Sequence, residues 1–517
     1  MKYLILFLCI FALSFSSQAT RRHSRPQQKP IPSTTTSLQK NEQLLVKIDS
    51  SQQIQARAFF EGKKWKTEDV TPNWILVHTR FQNSMIEELS SIPGVEYIQP
   101  NYVISLFEKY QIQDRLRLAS LEKLLRQKTI PADLEIPSQD HDEPVHEQAG
   151  KTEKPVDNPP WSPPLVWKQG VDPKSMDQWG LEQILPSQFR RPTEPIIVAV
   201  IDSGIDYAHE DLKNQMWFNP YETGMDAQNH SKHNNQIDDD GNGLVDDFMG
   251  WDFYSNDNLP YDMHKIPLDL LRQGGNAGHG THCAGTIAAG FRNSLGISSL
   301  SPHIQVMPVR FLDENGNGTT AGAIRSIHYA VSKGAKILSN SWGYEGEMPS
   351  QENKALQEAV AYARSQGVLF IAAAGNGRDG VGINNDTDPT PVYPASYDMD
   401  NIISVAAVNR EDQLTRFSNF GAHKVHIAAP GARIYSTVPG NRYTDIVFKF
   451  YGFEASWDGT SMATPHVAAA AAYIWGMNPN WNYQQVRRAL FETARKTPEL
   501  HDKVLSGGIV DLHAWAR

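Results

Sequence analysis

Beyond Trp167 the chain alternates short, almost continuously apolar runs with stretches whose apolar residues have helical spacing. Strands that are apolar on both faces and alternate with helices form a parallel sheet with helices packed on both sides. The sequence therefore predicts an α/β domain over residues 167–517, built on a doubly wound, mainly parallel sheet. The runs that predict strands are PIIVAVID, IQVMPVRFLD, AKILSNSW, GVLFIAAAG and NIISVAAV, and the predicted helices span residues 320–333, 351–366, 462–476 and 483–495.

The part of the chain before this domain divides into four segments of different composition. Residues 1–19 have a basic residue, an apolar run too short to span a membrane and small residues at the end, the pattern of a secretory signal peptide. Residues 20–40 are polar and predicted to be disordered. Residues 41–106 contain two strand patterns, then a helix, a turn and another strand, which predicts a small α+β domain. Residues 107–166 join a helical pattern to a stretch rich in proline and charge, which is typical of a linker.

Cysteine content and charge limit the classes of function. Cys9 leaves with the signal peptide, so Cys283 alone remains and no disulfide can form within the mature chain. Residues 166–517 carry 28 basic and 39 acidic side chains, whereas residues 20–165 carry 19 of each. An acidic domain argues against a nucleic acid partner. We expect an exported monomer, extracellular or periplasmic, with no membrane span and no organic cofactor.

Three glycine-bounded stretches carry the side chains of an acyl-transfer relay. Asp202 ends the first apolar run in AVIDSGID, where a buried carboxylate needs a partner. His279 stands in GHGTHCAG before an apolar stretch, and Ser461 begins a predicted helix in GTSMATPHVA. In such a relay the serine attacks, the histidine moves the proton and the carboxylate fixes the imidazole tautomer. Asn376, which follows FIAAAG, is a candidate donor to the oxyanion.

These motifs resemble the Asp, His and Ser signatures of the subtilisin-like serine proteases, or subtilases, in that family's chain order. The resemblance covers about residues 178–516 and includes AAAGN, which is similar to the family's oxyanion-hole motif. It implies that Asp202 orients the imidazole of His279, that His279 is the general base and that Ser461 is the nucleophile, with Asn376 donating to the oxyanion. The resemblance therefore implies a serine endopeptidase that cleaves proteins through an acyl-enzyme. Sedolisins carry glutamate in place of this histidine, so His279 argues against them.

Two further segments resemble those between which subtilases hold an extended substrate as an added strand. NGNGTT contains Gly316, and SNSWG contains Ser341, Trp342 and Gly343. VYPAS resembles the wall of the pocket for the residue before the cut, where Val392 indicates a short apolar pocket. The alternative interpretation of SNSW is a core strand without a binding role.

The small N-terminal domain also has a counterpart in this family. LSSIPGVEYIQPNYVI resembles the end of the inhibitory propeptide of subtilases. The resemblance implies that residues 41–106 act as an intramolecular chaperone and inhibitor, which self-cleavage removes from the zymogen. Residues 107–166 separate this domain from the catalytic domain, and the position of the maturation cut stays open.

An acidic stretch, NNQIDDDGNGLVDDF, resembles a calcium loop. The candidate ligands are Asp238, Asp240, Asn242, Asp246 and Asp247. The stretch departs from an EF-hand because Met249 stands where a bidentate glutamate is expected. The alternative is a solvated acidic turn. Asp211, in HEDL, matches a calcium ligand of the family and is a second candidate.

The other polar residues of GHGTHCAG have structural interpretations. The two histidines lack the His-Glu-x-x-His spacing of a zinc site, and a redox site would need a second cysteine. His282 is predicted to be structural. Cys283 is predicted to lie one helical turn after His279, as a buried packing thiol beneath the imidazole, as in proteinase K-like members of the family. Two other functions stay open: a pseudoprotease, which the complete relay disfavours, and a calcium-dependent adhesion module.

Overall fold

The structure is a computed structural model that describes residues 43–79, 83–106, 172–186, 192, 194–261, 278–344, 353–450 and 453–516. These residues belong to one compact unit, Asn41–Arg517. The predicted signal peptide, the polar segment 20–40 and the predicted linker 107–166 lie outside the described residues.

A four-stranded antiparallel sheet with two helices forms the small N-terminal domain, in the strand order β2-β3-β1-β4. Its elements are β1 (Gln43–Ile48), α1 (Gln53–Gly62), β2 (Thr67–Thr71), β3 (Trp74–His78), α2 (Asn83–Ser90) and β4 (Val95–Pro100). Because successive strand residues point to opposite faces, Leu44 and Val46 pack with side chains of α1 and α2, whereas Leu45 points to the large domain. The predicted α+β domain is confirmed, and α1 and β2 are additions to it.

The large domain is built on a sheet whose nine described strands have the order β19-β20-β14-β13-β12-β10-β6-β8-β7. Every neighbouring pair is parallel except β19 and β20 at one edge. The strands are β6 (Ile196–Asp202), β7 (Trp251–Asp252), β8 (Ile304–Arg310), β10 (Ile337–Asn340), β12 (Leu369–Ala373), β13 (Ile402–Val408), β14 (Ile427–Pro430), β19 (Arg495–Lys496) and β20 (Gly508–Ile509). The predicted mainly parallel α/β fold is therefore confirmed.

Helices cover both faces of this sheet. They are α3 (Trp179–Ile184), α4 (His279–Ala288), α5 (Thr320–Ser332), α6 (Lys354–Ser365), α7 (Thr460–Met477) and α8 (Tyr483–Thr493). Val198 and Val200 of β6 pack into the apolar cluster that contains α4 and α7, and Ala199 and Ile201 pack into the one that contains α5 and α6. This alternation is why the strands are apolar along their whole length.

One strand of the small domain joins the large domain. β5 (Val103–Leu106) leaves the four-stranded sheet and lies between β9 (Asn317–Thr319) and β11 (Trp342–Gly343). It pairs antiparallel with both, so the small domain ends as the middle strand of a three-stranded sheet.

Two antiparallel strand pairs lie between β14 and α7 along the chain. They are β15 (Ser436–Val438) with β16 (Arg442–Thr444), and β17 (Ile446–Phe450) with β18 (Phe453–Ser456). Among the described residues, none of the helices has the length and hydropathy needed to cross a membrane.

Candidate active site

The last residue of β6 and the first residue of α4 form a buried hydrogen bond. His279 Nδ1 donates to Asp202 Oδ1 at 2.8 Å, and each residue is 1% exposed. The same carboxylate oxygen accepts the backbone N–H of Ser203 at 2.7 Å. Because the contact with Asp202 fixes the proton on Nδ1, the lone pair of the neutral imidazole lies on Nε2.

Glycine at position 280 allows α4 to approach the end of β6. A Cβ on Gly280 would lie 2.1 Å from the carbonyl oxygen of Gly204 and 3.3 Å from Asp202 Cβ. The Gly280 backbone N–H donates to Ser203 Oγ at 3.0 Å, which ties the start of the helix to the strand end. The pairing of Asp202 and His279 therefore depends on a residue without a side chain.

Ser461 is the second residue of α7 and is fully buried. Its Oγ donates to the carbonyl oxygen of Ser341 at 3.1 Å, and the Ser341 Oγ donates to the Ser461 carbonyl at 3.0 Å. The N–H groups in the first turn of a helix have no intrahelical partner, and together with the helix dipole they favour negative charge. Ser461 thus lies where an oxyanion would be stabilised.

Cys283 connects the three elements that carry these side chains. Its Sγ lies 3.9 Å from His279 Nδ1, 3.8 Å from Ser341 Oγ and 3.7 Å from the Ser461 carbonyl oxygen. The thiol is 1% exposed, one turn after His279 on α4. The start of α4, the end of β10 and the start of α7 therefore meet around one sulfur atom.

Asn376 follows β12 and faces the start of α7. Its Oδ1 accepts from both the backbone N–H and the Oγ1 of Thr460, each at 2.9 Å. With the amide oxygen held in this way, the Nδ2 group is the side of the amide that can donate to another group. Asn376 is partly exposed.

His282 has a different environment from His279. Its Nε2 donates to the carbonyl oxygen of Ile434 at 2.8 Å, and its ring stacks on Trp457 with centroids 4.3 Å apart. Burial lowers the pKa of His282 to about 3, so this ring is neutral. The ring of Trp457 also lies 6.3 Å from that of His279, a contact that the sequence reasoning missed although Trp457 stands just before GTSMA.

The segments predicted to bind substrate hold the end of the small domain. Trp342 pairs with Leu106 and Gly343 with Ser105, while the Gly316 carbonyl oxygen accepts the Leu106 N–H at 2.9 Å. Trp342 also has a core role, because its Nε1 donates to Ile201 O at 2.7 Å and the residue is fully buried.

Val392 is also fully buried and precedes Tyr393. The Tyr393 carbonyl oxygen accepts the N–H of Tyr344 at 3.0 Å, next to the end of β11. Val392 therefore adjoins the predicted substrate segment, and its role in a pocket stays a prediction.

Only part of the predicted calcium loop converges on one point. Asp240 and Asp247 lie with Glu222, each offering an oxygen within 4.8 Å of the others. Lys333 Nζ pairs with Asp240 and, at 3.1 Å, with Asp247. Asn219 Nδ2 donates to Asp240 Oδ2 and Asp247 Oδ1 at 2.9 and 2.7 Å. Sequence reasoning missed Glu222 because it precedes the acidic stretch and no local pattern marks it.

The other candidate ligands in the loop, Asp238, Asn242 and Asp246, are not part of this set of three carboxylates. Asp238 accepts the backbone N–H groups of residues 241, 242 and 243, which closes a turn. Asn242 donates through Nδ2 to Asp247 Oδ2 at 3.0 Å. Asp246 accepts the N–H of Gln236, and burial raises its pKa.

Asp211 lies at a second position, next to residues 290–297. It accepts from Asn293 Nδ2 at 2.7 Å and from the Ile297 N–H at 2.9 Å. Burial raises the pKa of Asp211 to about 6, and the nearby carboxylate of Asp172 also raises it. Two close carboxylates in a buried place would gain from a cation.

A family model and several known proteins match this chain, and all of them are subtilases or serine proteinases. The model of the Subtilase family matches residues 193–507. The chain is 35% identical over 299 residues to a thermophilic serine proteinase of Bacillus sp. strain AK1, a match that covers 58% of this chain and 56% of that protein. It is 39% identical over 247 residues to thermitase of Thermoactinomyces vulgaris, covering 48% and 73%, and 31% identical over 330 residues to subtilisin-like protease 1 of Plasmodium vivax, covering 61% and 46%. The match thus spans about half the length of the first and third of these relatives.

Proposed function

This chain belongs to the subtilase family, and from that premise we propose that it is a secreted serine endopeptidase made as a self-processing proenzyme. The observation that carries the proposal is the 2.8 Å contact of His279 with Asp202 beside a helix that begins at Ser461, with a chain segment bound next to it as an added strand. The substrates are peptide bonds of proteins.

The reaction follows from the protonation of the imidazole. Ser461 Oγ attacks the carbonyl carbon while His279 Nε2 takes its proton, because Nδ1 already donates to Asp202. The developing oxyanion is stabilised by N–H groups at the start of α7 and by Asn376 Nδ2. His279 then gives the proton to the leaving amine, and water hydrolyses the acyl-enzyme by the reverse sequence.

An inhibitory role for residues 41–106 is supported by the way in which they complete two helices of the large domain. The Ala321 N–H, in the first turn of α5, donates to Asn101 Oδ1 at 2.9 Å. The Ala355 N–H, in the first turn of α6, donates to Gln99 Oε1 at 3.1 Å. The N-cap residues of the two helices, Thr319 and Asn353, accept the backbone N–H groups of the residues that follow Ala321 and Ala355. The small domain and the N-cap residues thus satisfy different N–H groups in the first turn of each helix.

The second support is the surface that the small domain presents to α5 and α6. One apolar cluster contains side chains from both domains, and the buried ones from the four-stranded sheet of the small domain are Leu45, Val70, Trp74 and Leu76. At its edge, Glu358 of α6 accepts from Lys47 Nζ and from Trp74 Nε1, each at 2.9 Å. A core shared in this way fits a domain that helps the enzyme to fold and then stays bound.

A fluorophosphonate probe tests the activity. Labelling of the wild-type protein that is lost in Ser461→Ala is expected. Labelling that survives in Ser461→Ala would contradict the assignment of the nucleophile, and a mature wild-type enzyme that is not labelled would favour a pseudoprotease. Residues 41–106 added in trans should slow peptide hydrolysis, and no effect at micromolar concentration would count against the inhibitory role.

Calcium is the cofactor in this proposal, with a structural role. Glu222 is fully buried, its Oε1 accepts the Asp239 N–H, and among the described residues its Oε2 has no hydrogen-bond partner. Together with Asp240 and Asp247 it forms a set of oxygens of the kind that Ca²⁺ takes. Calcium would cross-link the loop. Burial, together with the nearby carboxylates of Asp247, Asp239 and Asp240, raises the pKa of Glu222 to about 7, and a bound cation would oppose this shift.

Chelation tests this role. Removing calcium held at 100 times its dissociation constant should cost about 2.7 kcal/mol of stability, and the thermal midpoint should fall. Glu222→Gln should reduce this response, while Asp211→Asn reports on the second candidate position. An unchanged midpoint in chelator would remove calcium as a stabilising ligand.

Export is supported by the signal-peptide pattern of residues 1–19 alone. Sequencing the N-terminus of protein from the medium and from the periplasm tests it, and retention of residues 1–19 would contradict it.

A further inference from the structure

The loop that follows Asn376 closes into a tight hairpin. The Arg378 N–H donates to the Val381 carbonyl oxygen and the Val381 N–H donates to the Arg378 carbonyl oxygen, each at 3.0 Å. Residues 379 and 380 between them have φ of +52° and +70°, which is typical of the two-residue turn of a hairpin. A Cβ on Gly377 would lie 1.9 Å from the Val381 carbonyl oxygen, so the hairpin packs directly against the residue that follows Asn376.

The Arg378 side chain joins this hairpin to a second turn further along the chain. Its Nη1 donates to Asp388 Oδ2 at 2.8 Å and its Nη2 donates to Asp388 Oδ1 at 2.9 Å. Nη2 also donates to Thr390 Oγ1 at 2.7 Å and to the Thr390 carbonyl oxygen at 3.2 Å. Because two parallel bonds join the guanidinium and the carboxylate, this contact fixes the orientation of the two groups as well as their distance.

This pair has the geometry at which a partly exposed ion pair contributes to structure. The side chains of Arg378 and Asp388 are 43% and 14% exposed. Most exposed ion pairs stabilise little, and two-bond arginine–carboxylate pairs are the exception. The hydrogen bonds from Arg378 lower the pKa of Asp388 to about 2, so the carboxylate stays charged at neutral pH.

The segment that leads from this pair to Val392 has little conformational freedom. Thr390 stands between two prolines, and Val392 follows the second of them. Because the proline ring fixes φ at about −65°, the position of Thr390 largely decides that of Val392. On the other side of Val392, the Tyr393 carbonyl oxygen accepts the N–H of Tyr344 at 3.0 Å. The predicted pocket wall is therefore fixed at one end by the segment after β11 and at the other by Arg378.

We propose that Arg378 is a positioning residue for substrate selection, which sets the distance between the wall at Val392 and the loop that carries Asn376. Arg378 stands two residues after Asn376, and its partner Thr390 stands two residues before Val392. One side chain therefore joins the candidate oxyanion donor to the predicted pocket for the residue before the cut. The inference rests on the proposed function, since it needs an active protease. Arg378 acts here through the backbone that carries Val392.

The expected consequence is discrimination by size. A pocket limited by Val392 favours a small aliphatic side chain before the cut, and in apolar pockets one methylene group changes kcat/KM by about tenfold or more. If Arg378 fixes the position of the wall, its loss lets the wall move and reduces the discrimination against larger side chains. We expect protein substrates to carry alanine or valine rather than phenylalanine at this position.

Peptide p-nitroanilides that end in alanine or in phenylalanine test this with protein made from the full-length chain. The measured quantity is the ratio of kcat/KM for the alanine peptide to kcat/KM for the phenylalanine peptide. Because both values come from one preparation, the fraction of the protein that has folded cancels from the ratio. In Arg378→Met, which has an unbranched side chain without donors, the ratio should fall about fivefold or more.

Asp388→Asn is the second variant, because asparagine has the shape of aspartate but cannot form both charge-assisted bonds. It should lower the ratio as well. The double variant Arg378→Met/Asp388→Asn should lower the ratio by about as much as Arg378→Met alone, since both changes remove one contact.

Arg364→Met is the matched control. Arg364 Nε donates to Asp400 Oδ1 at 2.5 Å, in a pair that starts from α6, and the Arg364 side chain is 51% exposed. Because this pair does not join the segments of Asn376 and Val392, its loss should change the ratio by less than about twofold.

A ratio in Arg378→Met that stays within about twofold of the wild-type value, or an equal change in Arg364→Met, would overturn the inference. Fluorophosphonate labelling separates this failure from a failure of the proposed function. Labelled wild-type protein with an unchanged ratio in Arg378→Met removes only the role of Arg378, whereas wild-type protein that neither labels nor cleaves removes the proposed function.

Discussion

One buried histidine, His426, contributes to the loss of stability of the fold in acid, and the size of this contribution can be worked out from its pKa. His426 is 8% exposed, its Nδ1 accepts the Ser404 N–H at 2.8 Å, and its ring stacks on Phe491. Burial lowers its pKa to about 3, and the nearby charges of Arg487 and Lys424 act in the same direction. The folded protein therefore keeps this ring neutral down to about pH 3.

The size of this loss of stability follows from the difference between the pKa of His426 in the folded chain and its pKa in the unfolded chain. The ordinary pKa of 6.5 applies to the unfolded chain, which takes up a proton as the pH falls below that value while the folded chain does not. The stability from this group is thus complete above pH 6.5 and is lost progressively down to about pH 3. Between pH 7 and pH 5 the loss amounts to about 2 kcal/mol.

His426→Asn isolates this contribution, because the asparagine oxygen can accept from Ser404 but does not titrate. In a Ser461→Ala background, which prevents self-digestion, the free energy of unfolding in urea is measured at pH 7 and pH 5. The variant should lose about 2 kcal/mol less than its parent over this interval. His501→Asn is the matched control, at a side chain that is 81% exposed.

An identical pH dependence in His426→Asn and its parent would refute the reasoning. His282 and His466, whose pKa values burial lowers to about 3 and about 4, should contribute with the same sign. Removing a single histidine therefore reduces the acid sensitivity without abolishing it.

Three further predictions concern the candidate site and the proposed inhibitory role of the small domain. Asn101→Leu or Gln99→Met in the small domain should raise its inhibition constant about fivefold, because the loss of one helix-capping acceptor costs about 1 kcal/mol. Ile54→Ala is the control and should leave the inhibition constant unchanged, because Ile54 is 83% exposed. Gly280→Ala should lower kcat by about 100-fold or more, because the new Cβ would push α4 away from β6; near-normal kcat would contradict the close approach. Cys283→Ala should keep near-normal kcat if the thiol only packs, and a collapse of kcat in a folded variant would assign it a direct role.

Local patterns predicted much of the fold. The helix predicted over residues 320–333 is Thr320–Ser332, and the strand NIISVAAV is Ile402–Val408. These elements are fully apolar or have a strong helical period, so local sequence decides them. Helix α1 was missed because QIQARAFFEG buries only Ala56 and Phe60 and has no cap signal.

Candidate site residues could be predicted where each stands in a recognisable motif of its own, and less so where a residue stands in no motif. Asp202, His279 and Ser461 each end or begin an element whose position the fold determines. Glu222 joins Asp240 and Asp247 only through the path of a long loop, which no short pattern encodes. The register of β5 is likewise invisible in the sequence, since VISL fits many strands.

The sheet of the small domain buries apolar side chains on both of its faces, which affects the domain once it is released from the catalytic domain. Its outer face, with Leu45, Trp74 and Leu76, is buried only while the catalytic domain covers it. A domain of about 65 residues has little stability to spare, so we expect the freed form to unfold and to be open to cleavage by the protease. If the small domain inhibits the enzyme as proposed, its cleavage after release would make activation irreversible.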